Sequence, residues 1–170
     1  MNAMKAGFDV GGVIYPKSNT EGADPNTLPN EEIIVLMKQL KNEGNTLFII
    51  SYLGKAKAQS TMDWLKRNNI VPDLVPVNNV FFVGEDKRVK VVVAKYLSLN
   101  RFYDDSIEII NALKNGVPDD DKKKKKEWKK LKGRIGDGEW GRMDTFIPSW
   151  ETHFTGGFDG EAVLYETRFV

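Results

Sequence analysis

Polar side chains that can bind a metal or attack an ester stand at the ends of three short apolar runs. Asp9 follows the first run, Ser51 follows the second, and the pair Asp104-Asp105 follows the last. Lys90 lies near the start of a helical pattern that precedes the last run. A carboxylate can act as a covalent nucleophile, and grouped carboxylates favour a hard cation such as Mg²⁺. These residue types therefore indicate a site that combines a carboxylate nucleophile, a metal and a lysine.

Plainer roles account for the same residues. The acidic side chains also suit strand ends and helix caps, where Asp105 or Ser106 would cap the helix that follows. Ser51 is equally compatible with an ordinary turn hydroxyl, and Lys90 with a solvated helix lysine. A chemical site is indicated only if the fold brings these separate positions together.

Strand-like and helical patterns alternate along the first two thirds of the chain. Apolar runs predict four strands, at 6–8, 47–50, 80–83 and 101–104. Apolar residues at helical spacing predict four helices, at 31–42, 55–69, 87–97 and 107–116. This alternation predicts an α/β fold with a Rossmann-like parallel sheet flanked by helices. In such a sheet ligands bind at the carboxyl ends of the strands, where the polar residues above would meet.

The sequence changes in character after Gly116. We predict a core over residues 1–116 and a C-terminal extension over residues 117–170 that packs on it and ends in a strand. Alternating residues at 162–169 predict that this strand is added to a sheet edge. The run Lys122 to Arg134 has nine basic residues and one acidic residue, a charge of +8 in a chain of formal charge +1. A solvated helix and a basic arm that contacts nucleic acid both account for this run.

Composition excludes several other kinds of site. The chain has no Cys, which rules out disulfides and thiolate metal centres, and its one His, His153, supports neither a histidine metal cluster nor a Ser-His-Asp triad. No apolar stretch is long enough for a signal peptide or a membrane span. We therefore expect a soluble, cytoplasmic protein with no membrane partner.

Four segments resemble, in order and spacing, the four motifs of the haloacid dehalogenase (HAD) superfamily of phosphotransferases. They are Phe8-Asp9-Val10-Gly11-Gly12, Leu47 to Ser51, the segment that begins at Lys90, and Phe102-Tyr103-Asp104-Asp105. Each motif alone is common, but all four in order on strands of the right kind form a more specific combination. The resemblance covers about residues 5–115 and leaves the C-terminal extension outside it.

The resemblance implies a Mg²⁺-dependent phosphohydrolase that forms an aspartyl-phosphate intermediate. Its nucleophile would be Asp9, and its metal ligands would be Asp9, Asp104 and Asp105. Ser51 and Lys90 would assist catalysis by binding the phosphoryl group, together with the backbone amides of Gly11 and Gly12.

One position departs from the family pattern. The family's phosphatases usually carry a second Asp two positions after the nucleophile, which acts as acid and base, and here that position is Gly11. Loss of such a group is expected to cost about 10²–10⁴-fold in rate. Three alternatives stay open: a substrate with a good leaving group, an acid from elsewhere such as Glu85 or Glu21, or a pseudoenzyme that binds without turnover. A nucleic-acid-associated protein that binds through Lys122 to Arg134 is a further alternative.

The spacing of the motifs leaves little room for a separate cap domain. The intervals from Asp9 to Ser51 and from Ser51 to Lys90 are filled by the predicted strands, helices and loops. Within the family, a capless form implies an open site and a phosphorylated substrate that is macromolecular or presented on a surface. The C-terminal extension and the loop over residues 17–29 are the two segments that would change this expectation by folding over the site.

Overall fold

Strands and helices alternate along the chain. The computed structural model describes residues 3–16, 26–53, 55–83, 89–116 and 157–165. The strands in these ranges are β1 (Lys5–Phe8), β2 (Thr46–Tyr52), β3 (Val80–Val83), β4 (Arg101–Asp104) and β5 (Glu161–Leu164). The α-helices are α1 (Glu31–Asn42), α2 (Lys55–Arg67), α3 (Val89–Tyr96) and α4 (Ile107–Asn115), and a short 3₁₀ helix spans Val77–Asn79.

All strand pairs are parallel, and the order across the sheet is β3-β2-β1-β4-β5. The chain moves outward from the central β1 to β2 and β3, then crosses to β4 and β5 on the other side. The direction of strand order therefore reverses between β1 and β4, which is where open α/β sheets form a ligand crevice. The predicted α/β fold with a parallel sheet is confirmed.

Helices cover both faces of the sheet because its strands are apolar on both. Successive side chains of a strand point to opposite faces. Phe8 and Ile49 belong to one hydrophobic cluster, together with the buried side chains of α1 and α2. Phe48 and Phe102 belong to a second cluster, together with the buried side chains of α3 and α4. Continuous apolar strands of this kind are stable only when both faces are covered.

Capping residues in the sequence determine where two of the helices begin. Asn30 caps α1 by accepting a hydrogen bond from the Glu32 N–H at 3.2 Å, and Gly44 follows the helix with a φ of +89°. The Ser106 hydroxyl accepts from the Ile109 N–H at 3.5 Å, which confirms the predicted cap of α4. Asparagine and serine at these positions satisfy donors that the first helical turn leaves unpaired.

Several elements differ from the predicted bounds by one or two residues, and two of these differences have a clear cause. The helix α2 ends at Arg67 rather than at 69, because Asn69 has a φ of +59°, which an α-helix cannot contain. The strand β2 continues to Tyr52, because Ser51 and Tyr52 pair with the last two residues of β3. This pairing extends a strand that the apolar run alone would end at Ile50.

Residues 157–165 bring the chain back to the core. The Phe158 N–H donates to the Leu113 carbonyl at 2.7 Å, and β5 then pairs with β4 so that Glu161 lies opposite Arg101. The predicted edge strand is confirmed over 162–164; β5 begins one residue earlier, at Glu161, and ends at Leu164, and residues 166–169 of the prediction lie outside the described residues. The rest of the predicted extension, including Lys122 to Arg134 and His153, lies outside the described residues.

Among the helices that the structure describes, none combines the length and the apolar character needed to cross a membrane.

Candidate functional site

The ends of β1 and β4 bring two acidic side chains together. Phe8 lies opposite Tyr103, so the residues that follow, Asp9 and Asp104, are also level with each other. The rings of Phe8 and Tyr103 stack with their centroids 4.8 Å apart, and the Asp9 N–H donates to the Tyr103 carbonyl at 2.9 Å. Because side chains alternate along a strand, both carboxylates point to the sheet face opposite the stacked rings.

Lys90 contacts both carboxylates from α3, one of the two helices that cover this face. Its Nζ lies 3.2 Å from Asp9 Oδ1 and donates to Asp104 Oδ2 at 3.0 Å. The residue is only 4% exposed, so its charge depends on these partners. The structure therefore places Lys90 within the predicted site and not on a solvated helix surface.

Asp105 completes a group of three carboxylates. One oxygen from each of Asp9, Asp104 and Asp105 can be chosen so that all three lie within 4.8 Å of one another. With the three acids ionised and Lys90 protonated, the group carries two negative charges in excess. Oxygen donors and this charge match the preferences of a hard divalent cation such as Mg²⁺. The residues present therefore fit the metal that the resemblance implies.

The protonation of this group follows from its burial. Burial raises the pKa of Asp9 from 3.8 to about 7; the Lys90 ammonium opposes the rise, and the charges of Asp104 and Asp105 add to it. Burial likewise raises the pKa of Asp104. Burial alone would lower the pKa of Lys90, but Asp9 and Asp104 outweigh it and raise that pKa to about 12. Lys90 is therefore the fixed cation of the site at neutral pH.

A tight loop over residues 10–15 follows Asp9 directly. The Val10 carbonyl accepts from the Tyr15 N–H at 3.3 Å, and the Gly12 N–H donates to the Tyr15 carbonyl at 2.9 Å. This corrects one expectation from the sequence. The Gly12 amide is already bonded within the loop, so it is not a donor for a phosphoryl group.

Gly12 has a conformational role instead. Its φ is +83°, in the left-handed region, and a Cβ at this position would overlap the Asp105 carboxylate. Only glycine satisfies both conditions. Gly11 is less constrained, because a Cβ there would lie 3.4 Å from the Tyr15 Oη, an ordinary contact distance.

Tyr15 is a residue of this region that the sequence analysis missed. It is 4% exposed, and its ring packs edge-on against Trp64 with centroids 5.3 Å apart. Burial and the negative charges of Asp9 and Asp105 raise the pKa of its phenol above the usual value. The sequence signal was slight: a tyrosine shortly after a Gly-Gly pair. Its position depends on the hydrogen bonds of the loop, which no local pattern predicts.

Ser51 lies at the same edge of the sheet, one strand away. Ile49 of β2 is opposite Phe8 of β1, so Ser51 lies two residues further toward the carboxyl end. It is buried. In the part of the chain that the structure describes, however, the hydrogen bonds that join Asp9, Lys90 and Asp104 do not include Ser51.

No protein-family model matches this chain, and no curated protein matches it.

Proposed function

We propose that the protein is a HAD-like, Mg²⁺-dependent phosphohydrolase with Asp9 as its nucleophile. The observation that carries this proposal is the buried contact of Asp9 with Lys90 at the strand-order reversal of a parallel sheet, beside Asp104 and Asp105. A carboxylate that attacks phosphorus forms an acyl phosphate, which water then hydrolyses. The reaction is thereby divided into two easier displacements.

The charge of the site determines what it needs in order to bind a phosphate. A phosphate ester is repelled by three carboxylates, and one lysine does not offset them. Mg²⁺ held by Asp9, Asp104 and Asp105 would supply the missing positive charge and polarise the phosphoryl oxygens. This is why we expect the activity to require the metal.

The protein's own groups hold the nucleophile in place. The Val10 N–H donates to Asp9 Oδ1 at 2.8 Å, and Lys90 contacts the same oxygen. Lys90 and the Ser106 N–H fix Asp104, the latter by donating to its Oδ1 at 2.9 Å. We assign to Lys90 the second task of neutralising the phosphoryl group, and to the Ser51 hydroxyl and the Gly11 amide that of donating hydrogen bonds to it.

The substrate class we propose is a phosphate ester on a large or surface-presented molecule. In the ranges that the structure describes, single helices connect successive strands from β1 to β4 (α1, α2 and α3), with only the short 3₁₀ helix added before β3. This supports a site without a cap domain. The segment over residues 17–25, which would change this expectation, lies outside the described residues.

One observation favours an alternative. Gly11 offers no side chain as an acid or base, which suits a module that binds Mg²⁺ and a phosphorylated partner without turning it over. The two functions share the metal site and differ in catalysis. An assay that measures binding and turnover on the same variants separates them.

The experiment compares the wild type with Asp9→Asn and with Asp63→Asn, a matched control on the exposed face of α2. Hydrolysis of p-nitrophenyl phosphate is measured with and without Mg²⁺, because an activated ester needs little leaving-group protonation. Calorimetry with Mg²⁺, alone and with beryllium fluoride, measures binding. We expect Mg²⁺-dependent turnover that falls by about 10³-fold or more in Asp9→Asn and is unchanged in Asp63→Asn.

Two results would contradict the proposal in different ways. Turnover that survives in Asp9→Asn, or that needs no metal, would exclude the aspartyl-phosphate mechanism. Binding of Mg²⁺ and beryllium fluoride without turnover by the wild type would establish the binding module in place of the enzyme.

A further inference from the structure

Cleavage of an alkyl phosphate needs a proton donor for the departing oxygen. General acids of this kind contribute about 10²–10⁴-fold to the rate. The Lys90 ammonium is protonated, but its Nζ is occupied by Asp9 and Asp104 at 3.2 and 3.0 Å. The backbone at Gly11 carries no side chain. The donor must therefore be another residue whose side chain reaches the space beside Gly11.

The Tyr15 hydroxyl reaches this space. A Cβ built on Gly11 would be 3.4 Å from Tyr15 Oη, so the phenol lies where a side chain at position 11 would begin. At the next residue, a Cβ on Gly12 would overlap the Asp105 carboxylate, so the phenol and one of the metal-binding acids both lie against this Gly-Gly pair.

The phenol is also held firmly. The Tyr15 N–H donates to the Val10 carbonyl, and the Tyr15 carbonyl accepts from the Gly12 N–H. Its ring packs against Trp64, which is fully buried and donates through Nε1 to the Thr27 carbonyl at 2.9 Å. A fixed donor needs no reorganisation when the reaction occurs, which is the property that makes it effective.

We propose that the Tyr15 hydroxyl is the general acid of this site, an inference that rests on the proposed phosphohydrolase function. In the first step an Asp9 oxygen bonds to phosphorus, the bond from phosphorus to the leaving oxygen breaks, and that oxygen keeps the electron pair and takes the proton from Tyr15 Oη. In the second step water attacks phosphorus and gives a proton to the phenolate. The bond from phosphorus to Asp9 breaks, which releases inorganic phosphate and restores the carboxylate and the phenol.

This assignment predicts a dependence on the leaving group. An alkoxide is a poor leaving group and requires the proton, whereas p-nitrophenolate departs without one. A purely structural role for Tyr15 would affect the two substrates equally. The ratio of kcat/KM for an alkyl phosphate to kcat/KM for an aryl phosphate therefore isolates the acid.

The test compares wild type, Tyr15→Phe and Tyr96→Phe, a matched control on the outer surface of α3. Substrates are glycerol phosphate and p-nitrophenyl phosphate with Mg²⁺, and thermal unfolding checks that each variant is folded. In Tyr15→Phe we expect kcat/KM for glycerol phosphate to fall by about 10²-fold or more and that for the aryl ester by about threefold or less. Tyr96→Phe should match the wild type on both.

A second variant tests the position of the acid. Gly11→Asp combined with Tyr15→Phe places a carboxyl group in the space that the hydroxyl leaves, and we expect it to restore hydrolysis of glycerol phosphate. Equal losses on both substrates in folded Tyr15→Phe would overturn the assignment and leave the phosphohydrolase function intact. A wild type that hydrolyses only the aryl ester would also overturn it. A wild type that hydrolyses neither would reject the underlying function as well.

Discussion

Asp9 holds its proton more tightly than a carboxyl group in water because it is buried beside two other acids. Its pKa is raised to about 7, whereas the unfolded chain restores the ordinary value of 3.8. Between these two values the native protein keeps a proton that the unfolded protein has released. Stability without metal therefore falls as the pH rises from about 4 to 7 and levels off above that.

Asp9→Asn tests this dependence, because an amide has no proton to release. Each pKa unit corresponds to about 1.4 kcal/mol, so between pH 4.5 and 8 the free energy of unfolding of the wild type should fall by about 3 kcal/mol more than that of Asp9→Asn. Urea unfolding in metal-free buffer at pH 4.5 and 8 measures the difference. Asp63→Asn serves as the exposed control and should behave like the wild type. Parallel pH curves for wild type and Asp9→Asn would show that burial does not perturb Asp9.

At the scale of elements, the loop over residues 10–15 connects the nucleophile to the rest of the site. It follows Asp9 directly, and its hydrogen bonds bring Tyr15 back beside Gly11. The two adjacent glycines of this loop have different structural roles. Gly12 permits the left-handed turn and the approach of Asp105, whereas Gly11 leaves space beside the phenol.

The two glycines can be compared by the same substitution. Gly12→Ala forces a Cβ into the Asp105 carboxylate at a φ of +83°, so we expect it to cost about 1–3 kcal/mol and to weaken Mg²⁺ binding by moving a ligand. Gly11→Ala meets only an ordinary contact and should change stability by about 1 kcal/mol or less. Urea unfolding and Mg²⁺ calorimetry on both variants check this. Similar losses in the two would mean that the loop does not have the backbone described.

For the whole molecule, the sequence predicted the elements better than their arrangement. The bounds of α1 were predicted correctly because apolar spacing, the Asn30 cap and Gly44 are local signals. The order β3-β2-β1-β4-β5 depends on pairing between distant segments, which no local pattern specifies. The candidate site shows the same division. The acids were predicted from strand ends and Lys90 from a helix start, but the burial of Lys90 and the position of Tyr15 depend on packing and on loop hydrogen bonds.

The edge strand β5 links the end of the described chain to the site. The Tyr165 N–H donates to the carbonyl of Asp104 at 2.9 Å, and the Tyr165 hydroxyl accepts from Asn30 Nδ2 at 2.7 Å. Phe158 packs against the second hydrophobic cluster. Without β5, the strand that carries Asp104 would become an open edge, and such edges pair readily with other chains.

Two shortened chains isolate the contribution of β5. A chain that ends at Gly116 lacks the strand, whereas a chain in which a short Gly-Ser linker replaces residues 117–156 keeps it. The linker can be short, because Gly157 lies directly against the backbone of Lys114. We expect the chain with the linker to be more stable by about 3 kcal/mol, given the apolar side chains and hydrogen bonds that β5 adds. It should also bind Mg²⁺ more tightly, because β5 holds the backbone of Asp104. Urea unfolding and calorimetry provide the comparison. Equal stability and equal affinity would mean that four strands suffice to form the core and to position its metal-binding acids.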